Sequence, residues 1–422
     1  MDYSFNRATL ARRLTATDFY NNPSLTDETY RRKFIEEVVI TADQDFSNKL
    51  SLSSHEVKGK ATYSVRDLTH KLILRQCAYN ITKKVRPKLK TRSQIIRELR
   101  VFLSDGGSYT VYRLDIQTFF ETCDAENILK VLTNLGVNQQ TIRIISQFLS
   151  NFNNNYSHGI PRGVEISSIL SEVILHEFDE AIRANEYVFY YSRFVDDIII
   201  VTSSQEEEKP FIRLLKSHLP KGLRFNHNKS RYFKASTVTD YPAVPVEFDY
   251  LGYRISITEH YNYISTNGTK PSKKKITTSH TNDFRDVVID ISNKKTKSLI
   301  GKLHKAFYSY AKSADFALLS DRINFLATNR DLIHKGKNEK IPTGIYYNYK
   351  EISVTNGALS RLDKALKALV LSPNKRLENV TSRKLNRVQT QSLLKISFQH
   401  GFSMRVFKKY SPNRLKEITR IW

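Results

Sequence analysis

Two adjacent carboxylates, Asp196 and Asp197, stand between the runs Tyr190-Tyr191-Ser192-Arg193-Phe194-Val195 and Ile198-Ile199-Ile200-Val201. Such apolar, β-branched stretches predict paired strands, with the acidic pair at the tip of the hairpin that joins them. Buried flanks then hold the tip at a solvent-reachable edge. A polar turn is one use for such a tip, because Asp side chains bond nearby backbone. The other is to hold a divalent cation.

A second strand-like run, Val111-Tyr112-Arg113-Leu114-Asp115-Ile116, carries one carboxylate and leads directly into Gln117-Thr118-Phe119-Phe120. A lone carboxylate in such a run is costly to bury unless it faces a cation or a partner. If the two runs share a sheet, Asp115 and Asp196 can bridge two hard cations through oxygen, with the backbone oxygen of Ile116 completing a shell and Asp197 as the adjustable ligand. The chemistry suited to that arrangement is in-line phosphoryl transfer. A third segment, His158-Gly159-Ile160-Pro161-Arg162-Gly163-Val164-Glu165-Ile166-Ser167, is a loop punctuated by Gly and Pro that runs into a helix. In that helix Ile166, Ile169, Leu170, Val173, Ile174, Phe178 and Ile182 recur at three- and four-residue spacing, which places them on one face beneath a sheet. Gly163 allows close backbone approach to a ligand.

In this order the three segments resemble the palm of a reverse transcriptase. Phe225-Asn226-His227-Asn228-Lys229-Ser230 resembles the fourth motif of that family, and Tyr250-Leu251-Gly252-Tyr253 its primer-gripping hairpin. The resemblance covers about residues 70–260 and is closest in style to prokaryotic enzymes of the retron, group II intron and abortive-infection (defence-associated) kinds. It implies an α+β right-hand polymerase: fingers and N-terminal region over 1–110, a palm of antiparallel sheet packed on helices over 111–264, and a basic, mainly helical thumb over 265–422.

The resemblance also implies roles. Asp115, Asp196 and Asp197, with the Ile116 oxygen, would hold two Mg2+ ions or Mn2+ in their place. The backbone of Ile116 to Phe120 would cradle the incoming triphosphate, with Phe119, Phe120, Arg162, Gly163 and Arg75 at the nucleotide. Phe120 would lie under the sugar and favour deoxynucleotides; as strand neighbours, Phe119 and Phe120 would face opposite sides. Lys229 would protonate the departing diphosphate, and Tyr250, Leu251 and Gly252 would grip the primer. Two departures from the family pattern stand out. Phe194 replaces the usual Tyr, and Arg162 stands where relatives often carry Gln, bringing a fixed charge toward the triphosphate or template.

Among the many basic residues before Asp115, Arg75 is the first choice for a triphosphate contact and Arg92, ahead of the helix-like Ser93–Leu103, the second; Lys71, Lys83, Lys84, Arg86, Lys88, Lys90, Arg97 and Arg100 are not separable by inspection. Residues 127–135 and 139–152 read as helices split by Gly136 and capped by Asn138, and Gln205 to Lys209 as a solvated turn. Composition enters through charge. Residues 270–422 hold 32 Lys and Arg against 11 Asp and Glu, which accounts for nearly all of the net +25. Such a region favours phosphate backbones through counterion release. Its apolar stripes, Phe316, Leu319, Ile323 and Leu326, then Leu362, Leu366 and Leu369, read as core. Residues 265–279 form the expected palm-to-thumb boundary.

Cys77 and Cys123 are the only cysteines, too few for a disulfide framework or a thiolate metal site. With no membrane-length apolar run and no signal-peptide core, the expected location is cytoplasmic. The expected function is an RNA-directed DNA polymerase in bacterial antiviral defence, with dNTPs, a DNA product and an RNA template that is a structured non-coding RNA. Whether it works with a protein partner or as a homo-oligomer stays open. Three alternatives use the same residues: an untemplated or protein-primed DNA polymerase, a non-catalytic RNA-binding scaffold, and an RNA polymerase, which Phe120 disfavours.

Overall fold

The structure, a computed structural model, describes residues 2–46, 50–57, 59–87, 89–235, 246–259, 285–333, 340–354, 356–371 and 385–422. Lys88 and the expected boundary at 265–279 lie outside the described residues. The chain divides into two compact units. The first comprises Met1–Thr91 and Ser108–Ser236, together with Lys335–Asn338, which is outside the described residues; the second comprises Arg92–Gly107, Thr237–His334 and Glu339–Trp422. The fold is α+β, and its sheets are antiparallel.

In the first unit, strands β1 (Leu52–Val57) and β2 (Lys60–Val65) form a hairpin. A four-stranded sheet follows from β3 (Tyr109–Asp115), β4 (Val188–Phe194), β5 (Asp197–Thr202) and β6 (Arg231–Ala235), in the order β4-β5-β3-β6. Strands β3 and β5 are buried almost end to end, which explains why they read as continuous apolar runs rather than alternating ones. The amphipathic segment after the 158–167 loop forms two helices, Ser167–Ile174 and His176–Arg183, broken at Leu175. All seven of its periodic apolar residues are buried. Phe178 carries this face to the sheet, with its ring 6.4 Å from those of Tyr191 and Phe225.

Helices Ala125–Asn134 and Gln139–Asn155 meet through Gly136, at φ +67, and the Asn138 side chain accepts from Thr141 N at 3.1 Å. The segment Gln205 to Lys209 differs from a solvated turn. Helix Glu208–His218 begins within it, and the Glu206 carboxylate accepts from the hydroxyls of Tyr112 and Thr202.

The second unit has a three-stranded sheet, β7 (Val246–Tyr250), β8 (Tyr253–Glu259) and β9 (Arg285–Ile291), and helices that include Asn293–Ser313, Phe316–Ala327 and Ala358–Leu371. Leu319, Ile323, Leu326, Leu362, Leu366 and Leu369 are core residues, while Lys294, Lys297, Lys305 and Lys312 are exposed. Asp290 closes the start of Ala358–Leu371, both carboxylate oxygens accepting from Ala358 N. Helix Arg92–Leu103, expected among the fingers, packs in this unit beside β9. Among the described residues no helix is long and apolar enough to cross a membrane.

Candidate active site

The register of the four-stranded sheet brings the acidic residues together. Asp115 ends β3 and pairs directly opposite Asp197, the first residue of β5, while Ile116 N donates to the Asp196 carbonyl at 3.2 Å. A slip of one residue would turn Asp197 to the other face, so the apolar pairs behind it, from Leu114 opposite Ile198 to Thr110 opposite Thr202, set the site as well as the core. Phe194 pairs with Asp197, which leaves Val195 and Asp196 as the two-residue turn. Val195 has φ +60, a left-handed conformation that hairpin turns usually give to Gly. For a β-branched residue it stores strain of about 1–3 kcal/mol.

Asp196 and Asp197 feel both burial and neighbouring negative charge. Burial, then the charges of Asp196 and Asp115, push the Asp197 carboxyl up to about 6. Burial also raises Asp196, and the charge of Asp115 adds to the rise, while Lys229 and Arg162 act against it. Partly buried carboxylates raised by burial and by a neighbouring negative charge in this way form a site a cation would relieve, and their oxygens suit a hard ion. Among the described residues, no group of three His, Cys, Asp or Glu is preset as a metal cage. Mg2+ commonly needs only one or two carboxylates, with waters and substrate phosphates completing its shell. Lys229 Nζ lies 3.1 Å from both oxygens of Asp115, and Asn226 Nδ2 donates to one of them at 3.3 Å. Backbone pairing of Asn226 N to the Asp115 carbonyl, 2.7 Å, holds this segment against β3.

The Phe119 and Phe120 reading needs correction. They lie not on a strand but in a helical turn, Phe119–Thr122, which begins after Thr118 at φ +44. Phe119 is fully buried, so its side chain belongs to the core rather than to a nucleotide. Phe120 is partly exposed, and the Arg162 guanidinium lies over its ring, 4.6 Å from the centroid. The loop before Arg162 is pressed onto this turn. Ile160 N donates to the Phe120 carbonyl at 2.8 Å, and a Cβ on Gly159 would come within 2.1 Å of the same oxygen. On its other side Gly163, at φ +94, abuts Thr62 and Tyr63 of β2, and Tyr63 N donates to the Arg162 carbonyl at 2.7 Å.

Arg75 is also placed otherwise than as an open triphosphate contact. Its guanidinium donates to Asp18 at 2.6 Å, to Glu165 at 3.1 Å and to the Arg13 carbonyl at 3.1 Å, so all three nitrogens have partners. Tyr250, Leu251 and Gly252 form the turn end of the β7–β8 hairpin in the second unit. Leu251 and Gly252 have φ +48 and +87, the Tyr250 side chain is buried, and the Gly252 carbonyl accepts from Ser292 N at 3.0 Å.

Arg193, one residue of the strand run in the sequence, is a buried brace for the turn at Val195 and Asp196. Its guanidinium donates to both oxygens of Glu172 (3.2 and 2.8 Å), to both oxygens of Asp179 (2.9 and 2.6 Å) and to the Val195 carbonyl at 2.9 Å. Burial alone would lower its pKa, but Asp179 and Glu172 outweigh burial and hold it above the ordinary arginine value. An arginine inside an otherwise apolar strand run is the signal that could have found it, since such a charge is rarely buried unless paired.

No curated protein matches the chain. One similar solved structure is titled "Structure of apo telomerase from Candida Tropicalis truncated from C-terminal domain"; it is 11% identical, with a TM-score of 0.36, and the match covers 49% of this chain and 53% of that one. The chain thus spans about half the length of that structure. Residues 59–255 match the family described as "Reverse transcriptase (RNA-dependent DNA polymerase)", a span that holds the β3 strand, the 158–167 loop and the β4–β5 hairpin. The segment that carries Asp115, Asp196 and Asp197 is therefore similar to the reverse transcriptase domain.

Proposed function

We propose that the chain is an RNA-directed DNA polymerase. The observation that carries this reading is the pairing of Asp115 opposite Asp197 with Asp196 at the adjoining turn. Asp115, Asp196, Asp197 and the Ile116 carbonyl would hold two Mg2+ ions, or Mn2+, which supply Lewis-acid charge for transfer of a nucleotidyl group to a 3′-hydroxyl. The partly exposed ring of Phe120 sits against the nucleotide's sugar and crowds a 2′-hydroxyl, favouring dNTPs. Arg162 brings positive charge to the same edge, within electrostatic reach of Asp196. Lys229 holds a proton beside Asp115 and delivers it to the departing diphosphate once it leaves that carboxylate. The Tyr250–Gly252 turn serves the primer, and the basic second unit the phosphate backbone of the duplex.

The style of the motifs extends the reading to a prokaryotic, defence-associated enzyme that copies a dedicated structured RNA in the cytoplasm. The test is incorporation of labelled dNTPs by the purified protein with its co-purifying RNA and Mg2+, with Asp196→Asn alongside. Product that is lost in the variant, and whose sequence matches the bound RNA, supports the reading. Product unrelated to any RNA favours untemplated synthesis, and absence of Asp196-dependent product favours an RNA-binding scaffold.

A further inference from the structure

Phe120 and Arg162 come from different loops, and a third residue ties them together. Arg162 Nη2 donates to Glu121 Oε1 at 2.9 Å while the same guanidinium covers the Phe120 ring. Glu121 follows Phe120 in one helical turn, so the arginine engages two neighbouring side chains of that turn at once. The arrangement is preset from the backbone outward. Thr118 at φ +44 aims the turn, the Phe120 carbonyl is held by Ile160 N, and the Arg162 carbonyl by Tyr63 N. The backbone does not fix the long arginine side chain, which carries roughly 2 kcal/mol of rotamer entropy when unrestrained.

The pair is partly shielded, with side chains 28% exposed for Arg162 and 43% for Glu121. Burial pushes the Glu121 carboxyl up, but the Arg162 hydrogen bond and the charges of Arg162 and Lys60 outweigh it and hold the group below its usual value. Arg162 Nε is buried with no hydrogen-bond partner among the described residues. An unpaired buried N–H of this kind carries a desolvation cost, which the contacts of the same guanidinium to Glu121 and the Phe120 ring have to outweigh.

We infer that Glu121 is a positioning residue: without touching the nucleotide, it holds Arg162 across Phe120 and thereby sets how strictly the site distinguishes a deoxyribose from a ribose. This rests on the polymerase reading and on Phe120 facing the sugar. With Glu121 replaced, the guanidinium leaves the ring, Phe120 gains rotamer freedom, and a 2′-hydroxyl is tolerated.

The experiment is single-nucleotide extension of a primer, giving kcat and KM for dNTP and rNTP in the wild type, Glu121→Gln, Arg162→Lys and the double variant, with melting temperatures taken in parallel. In Glu121→Gln the preference for dNTP is expected to fall about three- to tenfold, mainly through a lower KM for rNTP, because placement rather than chemistry is disturbed. The double variant is expected to match Arg162→Lys, since both changes break one contact. Wild-type discrimination in Glu121→Gln, or losses that multiply in the double variant, overturn the inference even while DNA synthesis proceeds. A lower melting temperature with unchanged discrimination assigns Glu121 to stability alone and also overturns it. If the wild type makes no Asp196-dependent product with either nucleotide, the polymerase reading itself fails, and this inference with it.

Discussion

Replacing Arg193 by Met would test whether the Val195–Asp196 turn is held from behind. The guanidinium is 3% exposed and lies between carboxylates that are 15% (Glu172) and 9% (Asp179) exposed. Removing it leaves two like charges, of which Asp179 keeps the Tyr191 hydroxyl and, at 3.9 Å, Arg183, and strips the donor from the Val195 carbonyl. Breaking a buried pair from one side costs about 3–5 kcal/mol, chiefly because the remaining charge is uncompensated. At about 2–4 °C per kcal/mol for a unit of this size, the transition of the first unit should fall by roughly 10 °C. Because Arg193 also fixes the carbonyl of the strained Val195, DNA synthesis measured well below that transition should fall by about a hundredfold, the usual cost of misplacing reacting groups by an ångström. Arg193→Lys should recover part of the stability but less of the activity, since an ammonium cannot serve both carboxylates and the carbonyl at once. Replacing Arg193, Glu172 and Asp179 together by apolar residues should restore much of the stability without the activity. Calorimetry and primer extension on the three variants decide the matter. A fall of less than about 3 °C in Arg193→Met, with wild-type synthesis, would refute the brace.

Three further outcomes are expected. The folded Asp197 carboxyl, at about 6, lies above its unfolded value of roughly 4, so between these the native state holds the extra proton; without divalent metal, stability should fall as pH rises through that window and level off above it. Melting temperature against pH should show this slope in the wild type, lose it in Asp197→Asn, and rise when Mg2+ is added above pH 6. Gly163→Ala places a Cβ 2.4 Å from Thr62 Cγ2 and 2.9 Å from the Tyr63 carbonyl at φ +94, and should cost at least about 2 kcal/mol in denaturant unfolding; a wild-type midpoint would contradict the close approach of β2. Lys229→Met removes the ammonium from both Asp115 oxygens, so half-maximal synthesis should need less Mg2+ while kcat falls about tenfold or more; a change in only one of the two would separate the counter-ion role from the proton donor.

Local chemistry made much of the core legible. The β-branched runs around Asp196 and Asp197 could hardly be anything but strands, and the periodic face from Ile166 to Ile182 could bury only as a helix, although its break at Leu175 left no signature. Asn138 as a cap and Gly136 as a helix end depend only on neighbouring backbone, and both stand where the sequence puts them. Phe120 shows the limit of that logic. Period-two reasoning puts Phe119 and Phe120 on opposite faces of a strand, but Thr118 enters the left-handed region and the loop of Gly159 and Ile160 packs onto the turn that results.

What the sequence by itself determined, then, is where the β3, β4 and β5 runs and the helices over 139–152 and 166–182 lie and which carboxylates stand at strand ends, because these follow from backbone preference and apolar spacing within a few residues. Which charge meets which was decided only by tertiary structure. Arg75 is paired with Asp18 and Glu165, Arg193 with Glu172 and Asp179, Glu121 with Arg162, Glu206 with Tyr112, and Lys229 with Asp115. A charged side chain in a run of sequence is indifferent to its distant partners. Folding removes its water, and the cost of that desolvation makes the nearest opposite charge, however remote along the chain, the one that defines its role.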